Sequence, residues 1–406
     1  MKFKPIAEIN PVSSRHDGPI RLAVLGATGS IGSQTLEIME RHPDRFVLTA
    51  FSVNRNIDRA LEICRRFKPK FAVVCDEESG RRFARQIKTE GGIDTEVLVG
   101  PDAMCDVVVR DDVDMVVTAT VGYSGLLPTF AAISHNKDIA LANKETLVVG
   151  GDYIRSLLEG SSTRIFPVDS EHSAIAQCLR GEDLDTVSRL IITASGGPFR
   201  SLPVEKLGEV TAADALKHPN WNMGAKITVD SATMMNKAFE IIEAHYLYGF
   251  PSDKIRAVVH PQSIVHSMVE FCDGALKAQL GIPDMRLPIA YALGLNHRIA
   301  SAVRPLRLEE MATLTFEAPD AVKFPCLRFA RMALERRGNT ACIINAANEV
   351  AVAAFLEGTI RYTDIAPIIE KTVEKIDFIA APGPDDFVKT NAESRRFAAL
   401  CARQKS

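Results

Sequence analysis

The chain has 406 residues, of which 46% are hydrophobic, 24% charged and 6% aromatic; at roughly 150 residues per domain this predicts two to three domains and a sizeable core. Forty-eight Lys and Arg against 51 Asp and Glu leave a formal net charge of -3, which argues against a charge-driven grip on nucleic acid or an anionic membrane. No apolar run approaches the ~18 residues of a membrane span and no N-terminal block resembles a secretory signal, so a cytoplasmic protein is expected, with its eight scattered cysteines reduced and no C-x-x-C zinc pair.

Residues 1–20 are polar and read as a loose arm. From Arg21 to Asp169, short β-branched runs (RLAVLG, FVLTAFSV, FAVVC, DMVVTAT, IALAN) alternate with helical segments over about 30–41 and 57–67. That alternation predicts a parallel sheet covered by helices. The segment 170–304 mixes helices with strand-like runs, RLIITAS, KITVDS, AVVHPQSIVHSMVEF and ALKAQLG, separated by Pro/Gly loops. A linker, 305–330, precedes a stretch at helical spacing, 331–406, that predicts a small helical domain.

The first strand runs into Gly26-Ala27-Thr28-Gly29-Ser30-Ile31-Gly32, a glycine turn opening a helix, where backbone N–H groups approach a pyrophosphate. A glycine turn without a ligand is the alternative. The second strand ends in Asn54-Arg55-Asn56 with no acidic residue for the ribose hydroxyls; an Arg there suits the 2′-phosphate of NADPH, unless it is one more solvated charge.

Asp169 and Glu171, two residues apart, point to one side if their segment is extended, and paired carboxylates suit an oxygen-preferring ion such as Mg²⁺ or Mn²⁺. A solvated loop explains the triplet as well. Asp230 and Ser231 are expected where a strand gives way to a helix. Along that helix Asn236, Lys237, Glu240 and Glu243 share an arc of roughly 120° opposite Met235, Ala238, Phe239 and Ile242, which suits either a site or a solvated face. The Ser195-Gly196-Gly197 loop is open to an anion. His218 and the single Trp221 stand in a Pro/Gly-flanked loop that suits a lid, or an ordinary packed tryptophan. Asn143-Lys144-Glu145 follows a strand, where open parallel sheets place ligand contacts. His245, His260 and His266 read as structural, the last two on one face of a single strand.

Taken in order, GATGSIGSQTL, GLLPTFAAI, LANKETLV, PVDSEHSAI, TASGGPFR, HPNWNMG, KITVDSATMMNKAFEIIEAH, HPQSIVHSMVE, GIPDMRLPIAYAL and NAANEVAVAAFL resemble the 1-deoxy-D-xylulose 5-phosphate reductoisomerase family from about residue 21 to the C-terminus. The resemblance implies an α/β homodimer with a Rossmann-like NADPH domain, a central α+β catalytic and dimerisation domain and a C-terminal helical domain. It implies that Asp169, Glu171 and Glu240 hold one divalent cation. Ser195, His218, Ser231, Asn236 and Lys237 would meet a substrate phosphate, Lys144 and Ser170 its other oxygens, and Trp221 its carbon backbone. Thr28, Gly29, Ser30, Ile31, Asn54, Arg55, Asn56, Asn143, Glu145, Gly224 and Met285 would contact the cofactor. Many family members carry Gly-Lys in place of Asn54-Arg55; Arg keeps the charge.

The chemistry implied is rearrangement of a phosphorylated ketose, by retro-aldol cleavage and rejoining or by α-ketol migration, followed by hydride transfer. Lys144, a carboxylate or a metal-bound water could serve as base. The rivals are another NADP-dependent oxidoreductase, such as a semialdehyde dehydrogenase using the Cys178 thiolate, and a non-catalytic nucleotide-sensing module.

Overall fold

A computed structural model describes residues 4–217, 220, 221, 223–311 and 313–405. The first half winds into a seven-stranded parallel sheet: β1 (Ile20–Leu25), β2 (Phe46–Val53), β3 (Phe71–Val74), β4 (Glu96–Val99), β5 (Met115–Thr118), β6 (Asp138–Leu141) and β7 (Ile165–Pro167), in the order β4-β3-β2-β1-β5-β6-β7. The covering helices are α1 (Ser30–Arg41), α2 (Ile57–Phe67), α3 (Glu77–Thr89), α4 (Ala103–Val108), α5 (Leu126–Ser134) and α6 (Lys144–Glu159). The central strands are buried on both faces, as their unbroken apolar runs require. Strand order reverses between β1 and β5, which opens a crevice beyond the carboxyl ends of the strands.

Two glycines make the turn there. Gly26 has φ +81 and a Cβ on it would lie 2.6 Å from the Ala119 carbonyl oxygen, while a Cβ on Gly32 would lie 2.3 Å from that of Gly26. Side-chain caps start the next helices: Asn56 accepts from the Arg59 N–H at 3.1 Å and Asn143 from the Thr146 N–H at 2.8 Å.

The chain then forms α7 (Ser170–Leu179), β8 (Val187–Ala194), α8 (Ala212–Ala215), α9 (Ala225–Thr233), α10 (Met235–Tyr248), β9 (Ile255–Val259), β10 (Val265–Phe271), β11 (Leu276–Leu280) and α11 (Arg286–Leu293). The second sheet runs β11-β10-β8-β9, with β10 antiparallel to its two neighbours and β8 parallel to β9. The described residues of 305–327 hold single-turn helices and a bridge from Glu317 to Val259. The C-terminal helices, α12 (Arg328–Arg336), α13 (Thr340–Leu356), α14 (Ile365–Lys375) and α15 (Pro384–Arg403), pack on α6, α9 and α10. One apolar core runs from the large sheet through α10 to α13.

Four expectations need correcting. The arm is not loose: Ala7 is buried and bridges Ile165 of β7, the Ile6 and Ala7 N–H groups both donate to the Leu247 carbonyl at 3.0 Å, and Val12 donates to that of Leu295 at 3.1 Å. The run KITVDS is helical, in α9, because Lys226 and Asp230 pair one turn apart at 2.9 Å and the segment has no strand beside it; Asp230 and Ser231 therefore lie in the last turn of a helix. Asp169 is the N-cap of α7 rather than part of an extended run, so Glu171 reaches the site from the first helical turn. His260 and His266 do not share a strand. His260 sits in the turn before β10, where Nε2 accepts from the Ile264 and Val265 N–H groups and Nδ1 donates to the Thr315 carbonyl.

Gly32→Ala should lower stability by about 1–3 kcal/mol through the forced contact with Gly26, read as a drop in denaturant midpoint at unchanged slope.

Candidate active site

α10 decides between a site and a solvated face. It is buried on nearly every side, and its polar residues Lys237, Glu240 and Glu243 are only 3%, 1% and 2% exposed. Charges taken that far from water persist only when paired. Their partners come from the carboxyl ends of β6 and β7. Lys144, at the start of α6, places Nζ 2.8 Å from Asp169 Oδ2, 2.6 Å from Asn236 Oδ1 and 3.3 Å from Glu240 Oε1. Lys237 Nζ lies 2.7 Å from Glu171 Oε1 and also pairs with Glu240 Oε2.

Asp169, Glu171 and Glu240 each turn a carboxylate oxygen into this cluster, all within 4.8 Å of one another. Burial and then the Glu171 charge push the Glu240 carboxyl up to about 7, against the opposing pull of the two lysines. Burial alone would lower the Lys144 ammonium, but Asp169 and Glu240 outweigh it and hold it well above its ordinary value. Lys237 is raised in the same way by Glu171 and Glu240. Three crowded carboxylates, one of them half-titrated near neutrality, form an all-oxygen donor set that suits a hard divalent cation.

Behind the cluster, His172 Nε2 lies 3.1 Å from Glu243 Oε2. Sequence reasoning gave His172 no role; its place one helical residue after Glu171 was the available signal. Lys226, also missed, pairs with Glu145 Oε1 at 2.5 Å and Asp230 Oδ2 at 2.9 Å.

The other expected contacts surround this centre. Thr28, Gly29, Ser30 and Ile31 form the turn above β1, and Gly29 caps α1 without a side-chain bond, leaving the first N–H groups open. Asn54 and Arg55 are exposed at the end of β2, with Arg55 Nε 3.1 Å from Asp76 Oδ2, and Asn56 is occupied in capping α2. Asn143 is buried and donates to the Thr120 and Gly122 carbonyls at 2.7 and 2.9 Å, so its side chain joins α6 to the loop after β5. Met285 caps α11, which packs on α1, and Gly224 caps α9. Ser170 Oγ bonds Glu171.

The Ser195 loop reaches the same region. Gly197, at φ +65, approaches the Ser231 carbonyl so closely that a Cβ would lie 2.8 Å from it. A cavity of about 590 Å³, with Arg200, Lys206 and Lys217 among its walls, opens beside Ser195. Trp221 packs near His266, ring centroids 6.3 Å apart, and Asn220 Nδ2 bonds Ser263 Oγ at 2.7 Å. His218 lies outside the described residues. Cys178 is buried, and burial pushes its thiol up to about 11, which removes the thiolate that the semialdehyde dehydrogenase alternative requires.

The parallel sheet with its glycine turn, and the lysine-flanked acidic cluster at the strand ends, define a dinucleotide-binding α/β enzyme with a divalent-cation type of site. The chain matches family models for 1-deoxy-D-xylulose 5-phosphate reductoisomerase over residues 22–151, for its C-terminal domain over 165–248, and for the DXP reductoisomerase C-terminal domain over 280–397. It is 51% identical over 379 residues to the 1-deoxy-D-xylulose 5-phosphate reductoisomerase of Bacteroides thetaiotaomicron, which covers 93% of this chain and 96% of that one. With that of Prosthecochloris aestuarii it shares 48% identity over 378 residues, 93% of this chain and 98% of the other. A crystal structure of DOX-P reductoisomerase with NADPH, fosmidomycin and magnesium superposes with a TM-score of 0.90 at 38% identity, over 95% of this chain and 98% of that one. The Zymomonas mobilis enzyme with NADPH gives 0.87 at 40%, over 95% and 99%. The chain belongs to the 1-deoxy-D-xylulose 5-phosphate reductoisomerase family.

The raised Glu240 carboxyl has a thermodynamic signature. Its folded value near 7 lies above the ordinary 4.5, so the metal-free fold takes up a proton that the unfolded chain releases, and stability falls as pH rises through that window. Mg²⁺ or Mn²⁺ should therefore raise the melting temperature more at pH 8 than at pH 6, and Glu240→Gln should lose most of that shift; equal shifts at both pH values in the wild type would contradict the assignment.

Proposed function

We propose that this chain catalyses the NADPH- and divalent-metal-dependent rearrangement and reduction of 1-deoxy-D-xylulose 5-phosphate to 2-C-methyl-D-erythritol 4-phosphate, in the non-mevalonate route to isoprenoid precursors. The cluster of half-buried Asp169 and Glu171 with buried Glu240 between two lysines, at the same sheet edge as the dinucleotide turn, carries this reading. Asp169, Glu171 and Glu240 hold the cation. When bound, the cation supplies Lewis-acid polarisation of the ketose oxygens and NADPH supplies the hydride.

The protein's own residues do the rest. Ser195, Ser231, Asn236 and Lys237, with His218, anchor the phosphate, and this remote binding orients the carbons that rearrange. Lys144, kept protonated at Nζ by Asp169 and Glu240, donates to the substrate oxygens together with Ser170. Trp221 covers the carbon backbone and excludes water. The open N–H groups above β1, with Thr28 to Ile31, take the pyrophosphate of the cofactor. Arg55, flanked by Asn54 and Asn56, faces its adenosine phosphate. Asn143, Glu145, Gly224 and Met285 line its path toward the site.

We also take the active form to be a homodimer, supported by the open edge strand β11, on which Leu276 is 58% exposed. A cytoplasmic location accords with eight unpaired cysteines. Among the described residues no helix is long and apolar enough to cross a membrane.

The direct test follows NADPH absorbance with 1-deoxy-D-xylulose 5-phosphate, with and without Mn²⁺ or Mg²⁺. Metal-dependent oxidation is expected from the wild type, and Glu240→Gln should reduce turnover by about 100-fold or more; a folded wild type that oxidises no NADPH sinks the proposal. Lys237→Ala should weaken substrate binding more than NADPH binding, read as separate KM values. Cys178→Ala should keep its turnover.

A further inference from the structure

We infer that Lys226, the second residue of α9, is a positioning residue for the cofactor: it holds the Glu145 carboxylate in place and ties the start of α9 to the first turn of α6 at the top of the large sheet. The inference rests on the reading that Glu145 and Gly224 contact NADPH.

Lys226 Nζ lies 2.5 Å from Glu145 Oε1 and 2.9 Å from Asp230 Oδ2, and 5.3 Å from the centre of the Phe239 ring. Asp230 Oδ1 in turn accepts from Asn348 Nδ2 at 2.8 Å. One ammonium group thus joins the first turn of α6 to the last turn of α9 and, through Asp230, to the middle of α13. Glu145 and Asp230 are buried, and among the described residues no other cation forms an ion pair with either. Burial alone would lower the Lys226 ammonium, but Asp230 and Glu145 outweigh it and keep it charged.

The placement gives this pairing a consequence for binding. Gly224 is the N-cap of α9, and Lys226 follows two residues later. Glu145 adjoins Lys144, whose ammonium meets Asp169, Asn236 and Glu240. The first turn of α6 therefore sends one residue to the acidic cluster and the next to Lys226. Without the lysine, two buried carboxylates face each other uncompensated, and Glu145 must either take a proton or turn toward water. The first removes the charge that Glu145 presents to the cofactor and the second moves it away, while the Asp169–Glu171–Glu240 cluster keeps its own lysines.

The test measures NADPH dissociation constants by the fluorescence of the bound nicotinamide, with KM values for both substrates, on the full chain. Lys226→Met should raise the NADPH Kd and KM by about tenfold or more while the sugar phosphate KM moves less than about threefold, and Lys226→Arg should return both to near wild type. If Lys226→Met does not fold by circular dichroism, Lys226→Met combined with Asp230→Asn keeps the net charge of the cluster and should show the same weakening. A folded variant of either kind that binds NADPH as tightly as wild type overturns the role of Lys226. Glu145→Gln separates the two ideas: if it alone binds NADPH normally, the placement of Glu145 on the cofactor is wrong, whereas if it weakens binding and the Lys226 variants do not, only the inference about Lys226 falls.

Discussion

Two ammonium groups, those of Lys144 and Lys237, stand in a space almost closed to water and face Asp169, Glu171 and Glu240. Opposite charges in such a space are costly to bring together and costlier to separate, so each element that carries one is held to the others. The start of α6, the N-cap and first turn of α7 and the middle of α10 therefore meet at one point. The geometry of the rest of the molecule, from the apolar core under α10 to the C-terminal helices packed on it, supports that meeting.

The large sheet supplies the complementary half. Parallel strands deliver all their carboxyl ends to one edge, so β1, β6 and β7 present the glycine turn, Asn143 to Glu145 and Asp169 in sequence along it. The break between α9 and α10 at Met234, in the left-handed region at φ +60, brings Ser231 and Asn236 to adjacent helix ends with no loop between them. Precision of this kind comes from helices and strands, and the Ser195 loop meets them where Gly197 approaches the Ser231 carbonyl.

Much of this was legible in the residues. The β-branched runs alternating with helical segments predicted the parallel sheet, because strands buried on both faces must be apolar throughout. α1 and α2 fall where helical spacing put them, at Ser30–Arg41 and Ile57–Phe67. The motif series led to the acidic cluster, yet periodicity alone could not decide whether Asn236, Lys237, Glu240 and Glu243 faced water, since a polar stripe looks the same when a second element buries it. KITVDS reads as a strand because Ile and Val at alternate positions imitate one over so few residues, although the Lys226–Asp230 spacing argues for a helix. The arm was misread for a different reason: its tether is made of backbone N–H groups donating to Leu247 and Leu295, and hydrogen bonds of that kind leave no mark on side-chain composition.

That arm changes how the sheet meets other polypeptides. β7 is an outermost strand, and a strand with its backbone groups bare is a template on which another polypeptide can add itself. Ala7 occupies part of the position from within the same molecule, and Glu8 donates its N–H to the Ile165 carbonyl at 2.7 Å. The guarded strand spans three residues and ends two positions before Asp169. A foreign strand docking there would pull directly on a residue of the acidic cluster, so resistance to aggregation and preservation of the site become the same property at this edge.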